Sequence, residues 1–221
     1  MVYYGTAKYD YKASVMITAS HNPPEYNGLK ISRENALPVG YDSGLKELED
    51  MINSREIETV KEEKKGKVVE KDIKDDYINF LRSYLPDLSN LNLAIDASNG
   101  MTALLLDDIL GDKPEYIYNE IDGTFPNHEP NPFLEENRED IRKLAQGEKA
   151  DLAMIFDGDG DRVMFLDEKG DFISPDLVTA LLAEYYIKEG AGKDILYDIR
   201  TSWSVKEHIE ELGGNTHMWK V

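Results

Sequence analysis

The segment "FDGDGDR", residues 156 to 162, sets Asp157, Asp159 and Asp161 in strict alternation with glycines. In an extended loop this spacing turns three carboxylates to one side, and the glycines let the backbone bend around a centre. Three carboxylates at one point repel one another unless a cation sits among them. Hard oxygen ligands select Mg2+, Ca2+ or Mn2+, and Mg2+ commonly pairs a few carboxylates with phosphate oxygens. A solvated acidic turn is the plain alternative, disfavoured because the alternation follows directly on the apolar run "LAMIF". An EF-hand calcium loop is another, since Asp157, Asp159, Asp161 and Glu168 fall on its ligand positions. It fails where that loop needs a glycine and this chain has Arg162, and again because strands are expected on both sides. Arg162 suits a fork for phosphate or carboxylate beside the metal.

A second stretch, "VMITASHNPPEYNGLKIS" at residues 15 to 32, offers a hydroxyl on a stiff loop. Neighbouring side chains in an extended segment point apart, so His21 is a poor base for Ser20 and a Ser-His hydrolase is not expected. Pro23 and Pro24 fix the backbone, Asn27 and Gly28 supply a tight turn, and Lys30 falls within reach of the same cleft. His21, Lys30 and Arg33 together could oppose the charge of a phosphate. Standing alone, "SHNPP" is as well explained as a merely stiff loop. Beside the aspartates it completes what phosphoryl transfer requires: an oxygen to carry the group, a cation to neutralise it and donors to place it.

Three stretches carry a family resemblance. "TASHNPPEYNGLK" and "FDGDGDRVMFLDEKG" resemble the phosphoserine loop and the metal loop of the α-D-phosphohexomutases, the phosphomannomutases and phosphoglucomutases, and "DGTFPNHEPNP" at residues 122 to 132 is similar to a stretch between those loops. The resemblance implies that Ser20 carries the phosphoryl group to and from a hexose phosphate through a hexose bisphosphate. It implies that Ser20, Asp157, Asp159 and Asp161 hold Mg2+, with a phosphoserine oxygen as the serine's share. His21, Lys30 and Arg162 match positions lining the phosphoserine and the reacting sugar hydroxyl, and Lys220 in "MWKV" matches a substrate-binding lysine of the third domain.

Family members have four domains. The resemblance therefore implies a truncated member: the C-terminal part of domain 1 with the phosphoserine loop at residues 1–69, domain 2 with the metal loop at 70–172, and the N-terminal part of domain 3 at 173–221. The family's opening strands, its third-domain sugar loop and its fourth, phosphate-binding domain are then outside the chain. A mutase must retain its bisphosphate while it reorients, and remote binding energy does the holding. The chain alone is thus expected to turn over weakly or not at all. Two other readings stand beside this one: a non-catalytic metal-binding or interaction fragment completing a partner chain that carries the missing domains, and a slow phosphatase in which water takes the phosphoryl group.

The elements that must position these loops alternate short apolar runs with amphipathic segments, an α/β pattern of mixed sheets sandwiched by helices. Strands are expected at 13–18, 91–96, 115–119, 151–156, 162–167 and 194–199, with a strand-like "NTHMWKV" at the end. Helices are expected at 43–53 with Leu45, Leu48 and Ile52 inward, at 73–85, 101–110 and 135–146, at 176–189 capped by Ser174 with Pro175 behind it, and at 203–212. The charged run at 55–76 reads as a connector. Ser98 to Thr102 read as an ordinary helix start, His128 as a loop residue satisfying backbone groups, and the tyrosines of 3–11 as sheet packing.

Among 221 residues, 44 are acidic and 25 basic, a net charge of −19, which opposes nucleic acid and anionic membranes. The absence of cysteine excludes disulfides, thiolate metal sites and cysteine nucleophiles. No apolar run reaches the length of a membrane span, so a cytoplasmic location is expected.

Overall fold

The computed structural model describes residues 1–55 and 59–220. Its centre is a five-stranded mixed sheet with strand order β4-β3-β5-β6-β7, built from β3 (Leu93–Asp96), β4 (Glu115–Ile117), β5 (Leu152–Phe156), β6 (Val163–Leu166) and β7 (Phe172–Ile173). Strands β3, β4 and β5 run parallel, while β6 and β7 return antiparallel. Every residue of β3 is buried, as expected of a strand covered on both faces. Ala94, Ala153 and Ile155 pack on one face against Ile141 and Ala145 of helix α5 (Glu139–Glu148). Leu93, Ile95, Leu152 and Met154 pack on the other against Leu106 and Leu110 of helix α4 (Leu106–Leu110). The period-two alternation of the strands thus sorts their residues between two helical layers, and the fold is α/β with a mixed sheet sandwiched by helices.

Two smaller units flank this sandwich. On the N-terminal side, α1 (Val2–Lys8) is followed by the antiparallel pair β1 (Ala13–Ile17) and β2 (Leu29–Arg33), then α2 (Leu45–Ser54) and α3 (Lys74–Arg82). On the C-terminal side, β8 (Asp194–Asp198) and β9 (Asn215–Trp219) pair in parallel beside α6 (Pro175–Lys188) and α7 (Trp203–Glu211), around Ala183, Val205 and Ile209. Ser174 caps α6 by accepting the Asp176 N–H, with Pro175 in its first turn.

The structure corrects several expectations. The tyrosine-rich start is helical over Val2–Lys8: the Tyr4 ring packs at a tilt against Tyr77 and Phe80 of α3, and Gly5 lets the two segments approach so closely that a Cβ there would lie 2.9 Å from Ile73 Cδ1. Adjacent Tyr3 and Tyr4 never offered the alternation a strand needs. Helix α2 is amphipathic, yet Leu48 and Ile52 are exposed, because among the described residues nothing packs on that face closely enough to bury it. The helix expected at 101–110 divides into a 3-10 turn, Met101–Leu104, and α4, with a non-helical backbone at Leu105. Residues 59–72 of the connector are exposed and irregular except that Glu62–Lys64, also exposed, form a 3-10 turn, and residues 56–58 lie outside the described residues. Strand β2 went unread although Leu29, Lys30, Ile31 and Ser32 alternate as strand residues do, because the segment is five residues long and follows directly on the Asn27–Gly28 turn.

Candidate active site

Strands β1 and β2 hold the serine loop at its neck, where the Thr18 N–H donates to the Gly28 carbonyl at 2.9 Å. Within the loop Ser20 adopts the left-handed conformation, φ 55°, which costs a non-glycine residue about 1–3 kcal/mol and persists only where the surroundings enforce it. Here Thr18 Oγ1 accepts the Ser20 N–H at 2.9 Å, and the Asn22 N–H donates to the Ala19 carbonyl. The turn carries the Ser20 hydroxyl across to the aspartate loop. Ser20 Oγ donates to Asp157 Oδ2 at 3.0 Å and lies 3.4 Å from Asp159 Oδ1.

The same backbone overturns the expectation that Ser20 and His21 point apart. With Ser20 left-handed instead of extended, His21 Nδ1 sits 3.4 Å from Ser20 Oγ. Arg162 Nη1 lies 3.0 Å from that nitrogen, and since arginine has only donors, Nδ1 accepts and the ring proton resides on Nε2.

The aspartate loop is the connection from β5 to β6. Asp157 is fully buried, its N–H donating to the Arg162 carbonyl and its Oδ1 accepting the Arg162 N–H at 3.1 Å. Glycine is required at two points. Gly160 is left-handed at φ +71°, and a Cβ on Gly158 would come within 2.3 Å of the Ser20 carbonyl oxygen. The serine and aspartate loops touch backbone to backbone, and any side chain at Gly158 would force them apart.

Asp157, Asp159 and Asp161 each direct a carboxylate oxygen to a common point, the three oxygens lying within 4.8 Å of one another. Lys30, carried in on β2, bridges Asp159 and Asp161 at 2.6 Å to each. Burial opposes the charge on Lys30, but these two bonds raise its pKa above the usual ammonium value. Asp159 is likewise desolvated, yet bonds from Lys30 and Thr18 hold it below the ordinary carboxylate range. Asp157 is pushed upward by burial and then by the neighbouring charge of Asp159. Three carboxylates thus face two cations, Lys30 and an Arg162 whose Nε is 3.8 Å from Asp161. The excess negative charge and the all-oxygen donor set fit a hard divalent cation.

Thr18 escaped sequence reasoning. Its hydroxyl donates to Asp159 Oδ2 at 2.9 Å while accepting the Ser20 N–H, tying serine to aspartate loop. The available signal was a hydroxyl residue at the end of a strand, two positions before Ser20. Arg33 does not join the site, its guanidinium donating to the Ser43 carbonyl at 2.6 Å. Lys220 has its ammonium 4.0 Å from exposed Asp42, and among the described residues no hydrogen bond or ion pair links it to the serine or aspartate loops.

Two family descriptions match the chain: "Phosphoglucomutase/phosphomannomutase, alpha/beta/alpha domain I" over residues 1–58 and "alpha/beta/alpha domain II" over residues 75–170. A phosphomannomutase of Escherichia coli K12 is 35% identical over all of this chain and half of its own length, and one of Methanocaldococcus jannaschii is 35% identical over 97% of this chain and 48% of its own. The chain therefore spans about half the length of the curated relatives it matches. A phosphoglucomutase/phosphomannomutase family protein of Burkholderia thailandensis superposes on 95% of the chain, and 45% of its own, with a TM-score of 0.85 and 31% identity. The Paramecium phosphoglucomutase pp63/parafusin, 20% identical, shares the fold over 99% of this chain and 48% of its own with a TM-score of 0.74. Motifs, sheet topology and relatives agree across the serine and aspartate loops alike, and the chain belongs to the phosphoglucomutase/phosphomannomutase family.

Proposed function

We propose that this chain supplies the phosphoryl-carrying half of a phosphohexomutase, which interconverts hexose 1-phosphate and hexose 6-phosphate through a phosphoserine and a hexose bisphosphate. The observation that carries this reading is the contact of Ser20 Oγ with Asp157 and Asp159, residues 137 and 139 positions away. A serine hydroxyl donating to a buried carboxylate within a cation-binding cluster is placed to carry a phosphoryl group.

In this reading Ser20 Oγ is the phosphoryl carrier. As a hydroxyl oxygen of the hexose phosphate bonds to phosphorus and loses its proton, the P–Oγ bond breaks and Oγ leaves; in the return step Oγ bonds to the phosphorus of the other phosphate, whose bond to the sugar oxygen breaks, and that oxygen takes up a proton to become a hydroxyl. The cation, Mg2+, would be held by Asp157, Asp159, Asp161 and a phosphoserine oxygen, and would supply neutralising charge and orientation. Lys30 and Arg162 are N–H donors for the transferring group, of the kind that stabilise its spread charge, and His21, with Nδ1 toward Ser20 Oγ and accepting from Arg162, lines the same place. Lys220 is the assignment with least support from the geometry. Domains at 1–69, 70–172 and 173–221, and a cytoplasmic setting, belong to the same proposal; among the described residues no helix is long and apolar enough to cross a membrane.

The test is intact-mass analysis of the purified chain after incubation with glucose 1,6-bisphosphate and Mg2+, with Ser20→Ala as control. One added phosphoryl group on the parent chain and none on the variant is the expected result; equal labelling of both, or none on either, overturns the reading. Because the chain spans half of its relatives' length, multiple turnover in a coupled mutase assay is expected to be slow.

A further inference from the structure

The stretch at residues 122–132 has no part in the chemistry above, yet among the described residues it holds the most buried ion pair involving a histidine. Asp96, at the end of β3, is completely buried, and the His128 side chain is 8% exposed with Nε2 3.0 Å from Asp96 Oδ2. The other Asp96 oxygen accepts the Ser98 N–H at 2.7 Å. His128 Nδ1 lies 2.8 Å from the Glu129 carbonyl, so both ring nitrogens face acceptors and both donate. Tyr118 closes over the ring edge-on, its own hydroxyl bonded to Asp140. The pair pins one point of a long loop to the end of β3.

From that point two arms reach the aspartate loop. One residue before His128, Asn127 donates to Asn99 Oδ1 at 2.7 Å. Asn99 precedes Gly100 and Met101, whose backbone rests on Gly158: the Met101 N–H donates to the Gly158 carbonyl at 2.9 Å, and a Cβ on Gly100 would meet that oxygen at 2.7 Å. Two residues after His128, the buried Pro130 abuts Gly158, its Cβ 3.3 Å from where a Gly158 Cβ would stand. Gly158 separates Asp157 from Asp159. It is pressed by Pro130, by the Met101 arm and by the Ser20 carbonyl, and two of these three supports are fixed by the residues flanking His128.

We propose that the Asp96–His128 pair is a positioning device that, through Pro130 and Asn127, holds Gly158 and so fixes the spacing of the cation-binding aspartates. The inference rests on the reading of Asp157, Asp159 and Asp161 as a metal site. His128 itself touches neither aspartate nor serine loop hydroxyl among the described contacts; its effect passes through backbone packing, and a displacement of about 1 Å in such a shell is enough to weaken a site.

The test measures Mn2+ binding to the full 221-residue chain by electron paramagnetic resonance, each variant held well below its own melting temperature. His128→Gln keeps a donor without the charge, and Pro130→Ala keeps the ion pair but removes the ring from Gly158. The expected result is a dissociation constant raised threefold or more in both, with an altered bound-Mn2+ spectrum. A rise of less than threefold in a folded variant, with melting temperature alone reduced, means the pair is only structural and overturns the proposal. If His128→Gln does not fold, Pro130→Ala decides by the same threshold. Asp157→Asn separates this from the parent reading: if the parent chain and that variant bind Mn2+ alike, the metal site itself is refuted.

Discussion

Lys30 shows how much of the site's chemistry lies in one side chain. Its ammonium joins Asp159 and Asp161 in the position from which a cation would balance them. Lys30→Met leaves Asp159, nearly buried, and the half-exposed Asp161 without that partner. Breaking a buried pair costs about 3–5 kcal/mol, and the partial exposure here lowers this to about 1–2 kcal/mol. The metal-free variant is expected to melt a few degrees below the parent chain. Added Mg2+ is expected to raise the variant's melting temperature more than the parent's, since it replaces a lost internal charge; a smaller rise in thermal melts would refute the compensation. Lys30 was legible as a phosphate-facing cation from its place after the serine loop. Its pairing with the aspartates was not, because that depends on a register between β1 and β2 that no local pattern announced.

At the scale of elements, the site is a meeting of turns supported by the ends of strands. Loop 97–101 leaves β3, the aspartate loop leaves β5, and the serine loop leaves β1, so two strand ends deliver the serine and the aspartates and a third supports Gly158 between them. The Asp96–His128 pair sits beneath two of them and should give stability a pH signature. Burial opposes the charge on His128, but the Asp96 carboxylate and the Glu129 carbonyl accept its protons and raise its pKa above the ordinary imidazole value. The groups facing it are Asp96, the Glu129 carbonyl, the Tyr118 ring and, behind Tyr118, Asp140. A histidine whose pKa rises on folding contributes fully below its unfolded value of about 6.5, and that contribution is lost as pH climbs through the folded value. Between pH 6.5 and the folded pKa, urea melts should therefore show the parent chain losing up to about 1.4 kcal/mol per pH unit relative to His128→Gln. Parallel profiles for the two proteins would exclude the charged pair. The sequence reading of His128 as a loop residue serving backbone groups captured the bond to Glu129 and missed Asp96, which lies 32 residues away.

Across the whole molecule, burial is uneven. The central sandwich has two clusters packed on opposite faces of one sheet, whereas among the described residues the C-terminal unit gathers only Ala183, Val205 and Ile209 as buried apolar residues. In the N-terminal unit, Val15, Ile17 and Leu29 of the β1–β2 pair remain exposed. Two-stranded pairs are marginal on their own, so unfolding should not be one cooperative event. Amide hydrogen exchange is expected to be slowest in β3 and β5, with β8–β9 and β1–β2 opening earlier. Equal protection in all three sheets would show a single cooperative unit.

The sequence by itself determined the α/β layering, strands β3 to β6 and helix α5 of the central sandwich, and the two loops that hold a serine and three aspartates. Those features are written locally, in alternating apolar runs, in prolines that fix a backbone, and in glycines between acids. Tertiary structure alone decided that Ser20 turns left-handed and meets Asp157, that His21 swings to the same side, that Lys30 bridges two carboxylates, that Arg33 turns away to Ser43, and that a buried aspartate waits for His128. Each of these is a contact whose partner is set by packing or by a backbone conformation that no periodicity encodes. A sequence names the groups able to do chemistry, and the crossing of distant loops fixes which of them meet.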